Sequence, residues 1–268
     1  MSNASPLVTV MMNAARKGAR SLARDFGEVE NLQVSRKGPA DFVTHADHAA
    51  EEKIFESLRH DRPGYGYLME ERGEVEGSDK THRFIIDPLD GTLNFMHGNP
   101  HFAISIGVER DGVLHAGVIY DLMRDEMFFA ETDKGAFLFD SRGVEKRLRI
   151  PNISDFSTAM IATGMPWNGK PGHAKFLKEL HKVMGTAAGV RRFGSAALDL
   201  AWVAAGRFNG FWERGLLPWD IAAGVVIVRE AGGIVEELDT GNKCMLESGD
   251  IVCANPNLLP QLKTHLAS

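Results

Sequence analysis

The segment Asp87-Pro88-Leu89-Asp90-Gly91-Thr92 places two carboxylates around a proline and follows them at once with a Gly-Thr pair. It comes directly after the apolar run Phe84-Ile85-Ile86. Asp at the first position and Pro at the second suit a type I turn, which brings its first and fourth residues to one side. Asp87 and Asp90 are then able to share one ion or bridge two. A helix beginning after Gly91 points its free N–H groups at an anion. Hard oxygen ligands beside an anion cradle suit Mg²⁺ and phosphate. The structural alternative is an ordinary Asp-Pro or Asp-Gly turn.

Other acids can join this pair. Glu70-Glu71 end an expected strand at Met69, as Asp87 ends its own strand, and carboxylates at adjacent strand ends converge on one cleft. The alternative is a solvated acidic loop, because Glu74, Glu76 and Asp79 follow. Asp220 opens a helix apolar nearly all round, Ile221 to Val228, which should be buried. Asp220 either complements the helix dipole or seeks a cation beside Trp219. Asp47 follows Thr44 by three residues, a capping-box pattern, and Asp41 precedes it as a loop acid. Glu213 ends a strand and can accept a hydrogen bond from a substrate hydroxyl, or be a solvated charge. Gly194-Ser195-Ala196 stands at a helix start, able to bind ligand through its N–H groups or merely to cap.

Other chemistries find little support. P-loop, nucleophile-elbow and HExxH patterns are absent. His97 and His101 read as loop and strand residues, and the four Trp as core or interface packing. Cys244 and Cys253 are read as buried free thiols in a reducing compartment.

The chain that positions these residues has 268 residues, 44% of them hydrophobic and 25% charged, an ordinary globular composition. A net charge of −6 with no Lys/Arg block gives no support to direct nucleic-acid binding. No apolar run is long enough to span a bilayer, and no signal-peptide layout opens the chain, so a cytoplasmic protein is expected. Periodicity predicts helices over 6–26 and 44–59, a loop through Arg36-Lys37-Gly38-Pro39, a strand at 65–69 and an acidic loop over 70–80. A strand at 84–87 and an antiparallel meander at 101–110, 113–121, 126–131 and 136–140 follow, with turns at Asp111-Gly112, Asp133-Lys134-Gly135 and Ser141-Arg142-Gly143. Past Asn152 strands alternate with helices: strands at 159–163, 190–193, 208–212, 234–237 and 251–254, helices at 172–184, 195–205, 219–231 and 258–265. The expectation is a mixed α+β and α/β chain in two parts. Residues 1–152 form a helix pair with an antiparallel sheet carrying most metal ligands. Residues 153–268 form an α/β half supplying Asp220 and substrate contacts.

With these segments in order, the chain resembles the inositol monophosphatase family, within the metal-dependent, lithium-sensitive sugar phosphatases. The resemblance covers nearly the whole length. It is carried by Phe84 to Phe95, by Trp219-Asp220-Ile221-Ala222-Ala223-Gly224 continuing to Glu230-Ala231-Gly232-Gly233, by the pair Glu70-Glu71, and by D-x-V-T-x-x-D over Asp41 to Asp47. Arg72 and Leu93 depart from the residues common there. The resemblance implies a layered αβαβα sandwich and a phosphoric monoester hydrolase acting on myo-inositol monophosphate. Fructose bisphosphate, histidinol phosphate and 3′-phosphoadenosine phosphates are the alternative substrates.

It implies residue roles as well. Glu70, Asp87 and the Leu89 carbonyl hold a first Mg²⁺; Asp87, Asp90 and Asp220 hold a second; Glu70 and water hold a weaker third. Gly91 and Thr92 meet the phosphate, and Thr92 with Asp47 orients the attacking water. Asp220, Glu213 and the Gly194 to Ala196 turn meet the substrate. A homodimer is implied, and a protein partner in a transcription complex is the rival reading of another class.

Overall fold

The computed structural model describes residues 3–26, 34–38, 41–242 and 245–267; the side chains of 34–38 and 41–43 lie outside the description, as do Pro39 and Cys244. Ser5 opens the first helix, α1 (Pro6–Asp25), by accepting from Val8 N at 3.2 Å, with Pro6 in the first turn where its missing N–H does no harm. Its Val8, Met11, Ala15, Ala19 and Leu22 form one buried face. The residues expected as a loop after it include a strand, β1 (Val34–Gly38), paired with β2 (Asp41–Thr44). Thr44 then caps α2 (His45–Asp61), and the two helices pack side by side.

An eight-stranded sheet follows from β3 (Gly66–Met69), β4 (Gly73–Val75), β5 (His82–Asp90), β6 (Ala103–Arg110), β7 (Val113–Asp121), β8 (Glu126–Glu131), β9 (Gly135–Phe139) and β10 (Glu145–Arg147), in the order β10-β9-β8-β7-β6-β5-β3-β4. The meander is as expected. The acidic loop is not: Gly73–Val75 form β4, an edge strand whose charges face outward. β10 is likewise a short polar edge strand without apolar alternation. The one-turn helix α3 (Thr92–Met96) lies between β5 and β6.

The second sheet has five strands in the order β12-β11-β13-β15-β14: β11 (Met160–Thr163), β12 (Gly189–Arg191), β13 (Gly210–Glu213), β14 (Ile234–Glu237) and β15 (Ile251–Ala254). Helices α4 (His173–Met184), α5 (Ala196–Ala204), α6 (Pro218–Glu230), α7 (Met245–Ser248) and α8 (Leu259–Leu266) complete the described elements.

Three buried clusters define the layers. α1 and α2 cover one face of the large sheet; α5 and α6 fill the space between the sheets; α4 and α8 cover the outer face of the small one. This is the αβαβα sandwich. Its middle layer depends on a close approach. Gly107 of β6 and Gly117 of β7 are cross-strand partners, and a Cβ on Gly117 would lie 2.4 Å from the carbonyl oxygen of Ala223 in α6. Side chains there would lift α6 off the sheet, and with it the Asp220 in its first turn.

Candidate active site

The parallel pairing of β3 with β5 matches Met69 to Ile86, so the next residues, Glu70 and Asp87, come side by side at the strand ends. Glu70 N donates to Ile86 O at 3.2 Å, extending the ladder by one bond. The type I turn expected at Asp87–Asp90 is instead a bulge within β5. Asp87 pairs with Ser105 and Asp90 with Ala103, so Pro88 and Leu89 together face a single residue of β6. A regular strand turns its first and fourth side chains to opposite faces; the extra residue returns Asp90 to the side of Asp87. Proline is tolerated at such a bulge, having no N–H to contribute. Leu89 N donates to Asp87 Oδ1 at 2.9 Å and fixes that carboxylate.

Asp220 arrives from the start of α6, its Oδ2 accepting from Leu217 N at 2.7 Å. Oxygens of Asp87, Asp90 and Asp220 lie within 4.8 Å of one another. Burial pushes all three carboxyls up: Asp87 and Asp220 well above the usual range, with Glu70, Asp90 and each other adding repulsion, and Asp90 to about 6. Asp90 rises least because donors hold it. Ser195 Oγ and Ala197 N donate to its Oδ2 at 2.6 and 2.7 Å, from the N-terminus of α5. Among the described residues no lysine or arginine pairs with these three acids. Packed carboxylates without a cationic side chain, open on one side to a cleft, fit a hard divalent cation. Asp87, Asp90 and Asp220 are the residues able to hold it.

Gly91 caps α3 at φ +102°, and a Cβ there would lie 3.1 Å from His101 O, so only glycine keeps the α3 N–H groups beside the acids. The Thr92 hydroxyl lies 3.2 Å from Asp47 Oδ1 and 3.1 Å from Leu89 O, with one proton to give to either. Asp47 forms the capping box that its spacing from Thr44 predicts. Its Oδ2 accepts from Thr44 N and Oγ1 at 2.8 and 2.6 Å, closing the capping box, and its Oδ1 faces Thr92. Burial raises the Asp47 carboxyl against the pull of these donors.

Glu213 ends β13 with its carboxylate against Gly164, where a Cβ would lie 1.8 Å from Oε1. Burial and the nearby Asp90 push Glu213 up to about 8, and no described residue hydrogen-bonds it. The Gly194–Ala196 turn stands at the start of α5, but the Ser195 hydroxyl is directed at Asp90. The His97–His101 pair is not a metal site: the His101 ring is buried among Phe193 and Trp202 in the segment before β6 and is held mainly neutral by burial, down to about 4. Cys253 is a buried free thiol.

Several contributors had no sequence signal. Glu51 Oε2 accepts from Glu71 N at 2.8 Å and braces the acidic pair from α2. Asn94 Nδ2 donates to His101 O and Phe193 O, at 2.7 and 2.8 Å, joining α3 to the approach of α5. Asp199, buried on α5 with one oxygen unpartnered, is pushed well up by burial and by the charges of Glu213 and Asp90. Only the i+4 spacing from Ser195 along α5 hinted at it.

Sandwich, bulge and acidic cleft define a class of protein: a layered α/β fold that holds carboxylates for divalent cations beside a helix N-terminus able to take an anion. Residues 3–268 match the inositol monophosphatase family, and the chain belongs to that family. It is 55% identical over 257 residues to the inositol-1-monophosphatase of Caulobacter vibrioides, covering 96% of this chain and 99% of that one. It is 41% identical over 261 residues to the Nus factor SuhB of Escherichia coli K12, covering 97% and 96%. The crystal structure of the extragenic suppressor protein suhB from Bartonella henselae superposes with a TM-score of 0.93 at 50% identity, covering 98% and 99%.

Proposed function

We propose that this protein hydrolyses the phosphate monoester of myo-inositol monophosphate with Mg²⁺ as its cofactor, releasing inositol and inorganic phosphate. The observation that carries the reading is the cluster of Asp87, Asp90 and Asp220 beside the Gly91–Thr92 helix start. Divalent cations, when bound, would lower the pKa of an attacking water and neutralise a leaving alkoxide. The chain's own residues do the rest. Glu70, Asp87, the Leu89 carbonyl, Asp90 and Asp220 fix the cations, and the Gly91 and Thr92 N–H groups receive phosphate oxygens. The Thr92 hydroxyl, aligned by Asp47, orients the water for in-line attack. Glu213 accepts from a hydroxyl of the polyol, and the Gly194–Ala196 turn borders it. Phosphoryl transfer of this kind needs position and charge more than a protein nucleophile.

Phosphate release from a panel of monoesters, with Mg²⁺, with EDTA and with Mg²⁺ plus Li⁺, tests the reading. Preference for inositol monophosphates, abolished by EDTA and reduced by millimolar lithium, is the expected result. Metal-dependent activity confined to fructose bisphosphate, histidinol phosphate or 3′-phosphoadenosine phosphate would change the substrate, and no activity on any would end the hydrolase reading.

The 41% identity to a protein named a Nus factor favours a second role, binding a protein of the transcription machinery. Rescue of a deletion strain by an inactive Asp90→Asn protein would assign the phenotype to that role. We also propose a cytoplasmic homodimer, consistent with the absence, among the described residues, of a helix long and apolar enough to cross a membrane. Sedimentation of the purified chain tests the dimer.

A further inference from the structure

Arg214 follows Glu213 at the end of β13, and the strand's alternation sends the two side chains to opposite faces. Glu213 faces the cleft; Arg214 faces the outer layer, where it meets three carboxylates from three parts of the chain. Its Nε and Nη2 lie 3.0 and 2.9 Å from Glu179 Oε1 on α4. Nη1 and Nη2 lie 2.9 and 2.8 Å from the two oxygens of Asp239, beyond β14, and Nη1 is 2.6 Å from Asp250 Oδ2, before β15. A guanidinium has five N–H donors, and these five contacts use them all. Lys175 Nζ, 3.1 Å from Asp239, adds a second cation. The acidic group Glu237, Asp239 and Asp250 therefore has its positive charge supplied by the protein, unlike the group at the cleft.

The clamp holds the segment that carries Glu213. Asp250 Oδ1 accepts from Gly215 N at 2.9 Å, and Leu216 N donates to Gly249 O at 2.9 Å, so the connector from β13 to α6 is tied to the residues before β15. The Glu213 carboxylate lies against Gly164 but accepts no hydrogen bond from a described residue. Gly164, Met165, Phe176, Trp212, Glu213 and Arg214 are among the residues lining a cavity of about 400 Å³ beside the cleft. A strand end that borders a void keeps its direction only if a neighbouring group is itself fixed, and Arg214, which lines the same cavity and spends all five donors on Glu179, Asp239 and Asp250, is that group.

We propose that Arg214 is a positioning residue for recognition of the leaving group: with Glu179, Asp239 and Asp250 it fixes the end of β13 so that Glu213 is aimed at the substrate polyol. The inference rests on the proposed role of Glu213. Arg214 touches no reacting atom in this scheme. Asp220, seated on the Gly107–Gly117 pair through α6, is held separately.

Steady-state kinetics at saturating Mg²⁺ test this with two substrates, inositol 1-phosphate and p-nitrophenyl phosphate, whose leaving group has no hydroxyl for Glu213 to meet. Assayed at pH 8.5, where the Glu213 carboxyl is ionised, Glu213→Gln is expected to raise KM for inositol 1-phosphate about tenfold, the effect of weakening a charged hydrogen bond, and to leave KM for the aryl ester within twofold. Arg214→Met is expected to follow the same pattern at about fivefold. Arg214→Lys falls between Arg214→Met and wild type, because an ammonium cannot fill the fork of three acids. The double variant Glu213→Gln, Arg214→Met raises KM no further than Glu213→Gln alone if Arg214 acts through Glu213. An equal loss of kcat on both substrates, or additive effects in the double variant, would overturn the inference. So would an unchanged KM in both Arg214 variants while Glu213→Gln raises it. An unchanged KM in Glu213→Gln itself would remove the premise, and is told apart because the Arg214 comparison is then never reached. Should Arg214→Met fail to fold, Arg214→Lys with Glu179→Gln carries the same comparison.

Discussion

Metal-free protein is expected to lose thermal stability as pH rises from 5.5 to 7.5, and Mg²⁺ is expected to cancel the part of that loss that comes from Asp87, Asp90 and Asp220. Asp90 ionises at about 6 in the fold against an ordinary 3.8, and Glu213 at about 8 against 4.5. The sign follows from proton counting. Both pKa values are raised, so between the ordinary and the folded value the native state holds more protons than the unfolded chain, and stability falls with rising pH. For Asp90 the fall runs from about pH 4 to 6 and is nearly complete at neutrality; for Glu213 it runs from about 4.5 to 8 and lies mostly inside the chosen window. At about 1.4 kcal/mol per pKa unit, the two together remove on the order of 3 kcal/mol between pH 5.5 and 7.5. Asp87 and Asp220, raised further by their mutual repulsion, add to the same trend.

For a chain of this size about 2–4 °C of melting temperature accompanies each kcal/mol, so metal-free Tm should drop by roughly 6–12 °C across the window. Bound cations favour the ionised carboxylates at both pH values, and their binding displaces protons at the lower one. The difference in Tm between Mg²⁺ and EDTA should therefore be larger at pH 7.5 than at 5.5, by about 2–3 °C from the roughly 0.8 kcal/mol of Asp90, with Asp87 and Asp220 adding to it. Differential scanning calorimetry in paired buffers reads it directly. A Mg²⁺ increment that is the same at both pH values, or a metal-free Tm that climbs with pH, would refute the assignment of these acids as a mutually repelling cation site.

Asp90→Asn is expected to lower kcat by orders of magnitude while circular dichroism and gel filtration stay native, since Ser195 and Ala197 can still donate to the amide oxygen. Thr92→Val is expected to cost about 10²-fold in kcat with little change in KM, the size of a lost proton-orienting contact. Gly117→Ala, whose methyl would meet Ala223 O, should destabilise by about 1–3 kcal/mol and shift α6, so that Tm and activity fall together in calorimetry and phosphate release.

How much of this was readable in the chain differs by the kind of interaction. The meander was legible because each strand alternates or runs apolar and most turns carry Gly with Asp or Ser, as at Asp111-Gly112, where both residues adopt positive φ. The helices were legible from period and caps. β4 and β10 were not, because an edge strand with polar residues on both faces looks like a loop until its partner is known. At the site, residue type was readable and geometry was not. Asp87 and Asp90 were correctly expected on one side, but through a turn, whereas the chain achieves it with a bulge whose existence depends on the register of β6. For Asp47 and Asp220 the helix-start reading holds, since each carboxylate has one oxygen on its own helix start, and the second oxygen of Asp47 faces Thr92.

What stayed hidden is contact across the layers. Nothing near Gly164 indicates that Glu213 will lie on it, and nothing in Glu179, Asp239 or Asp250 indicates a common arginine. Such contacts join residues tens of positions apart, and one sequence carries no periodic trace of them. They also decide function most finely. The acids proposed as metal ligands come from the ends of β3 and β5 and from α6, pinned by a sheet and a glycine pair, whereas Glu213 sits on a short strand beside a cavity. Substitutions around Glu213 and Arg214 should therefore move substrate preference while leaving metal binding intact. Competition between inositol 1-phosphate and p-nitrophenyl phosphate in those variants, at fixed Mg²⁺ affinity, is the measurement that separates the two halves of the site.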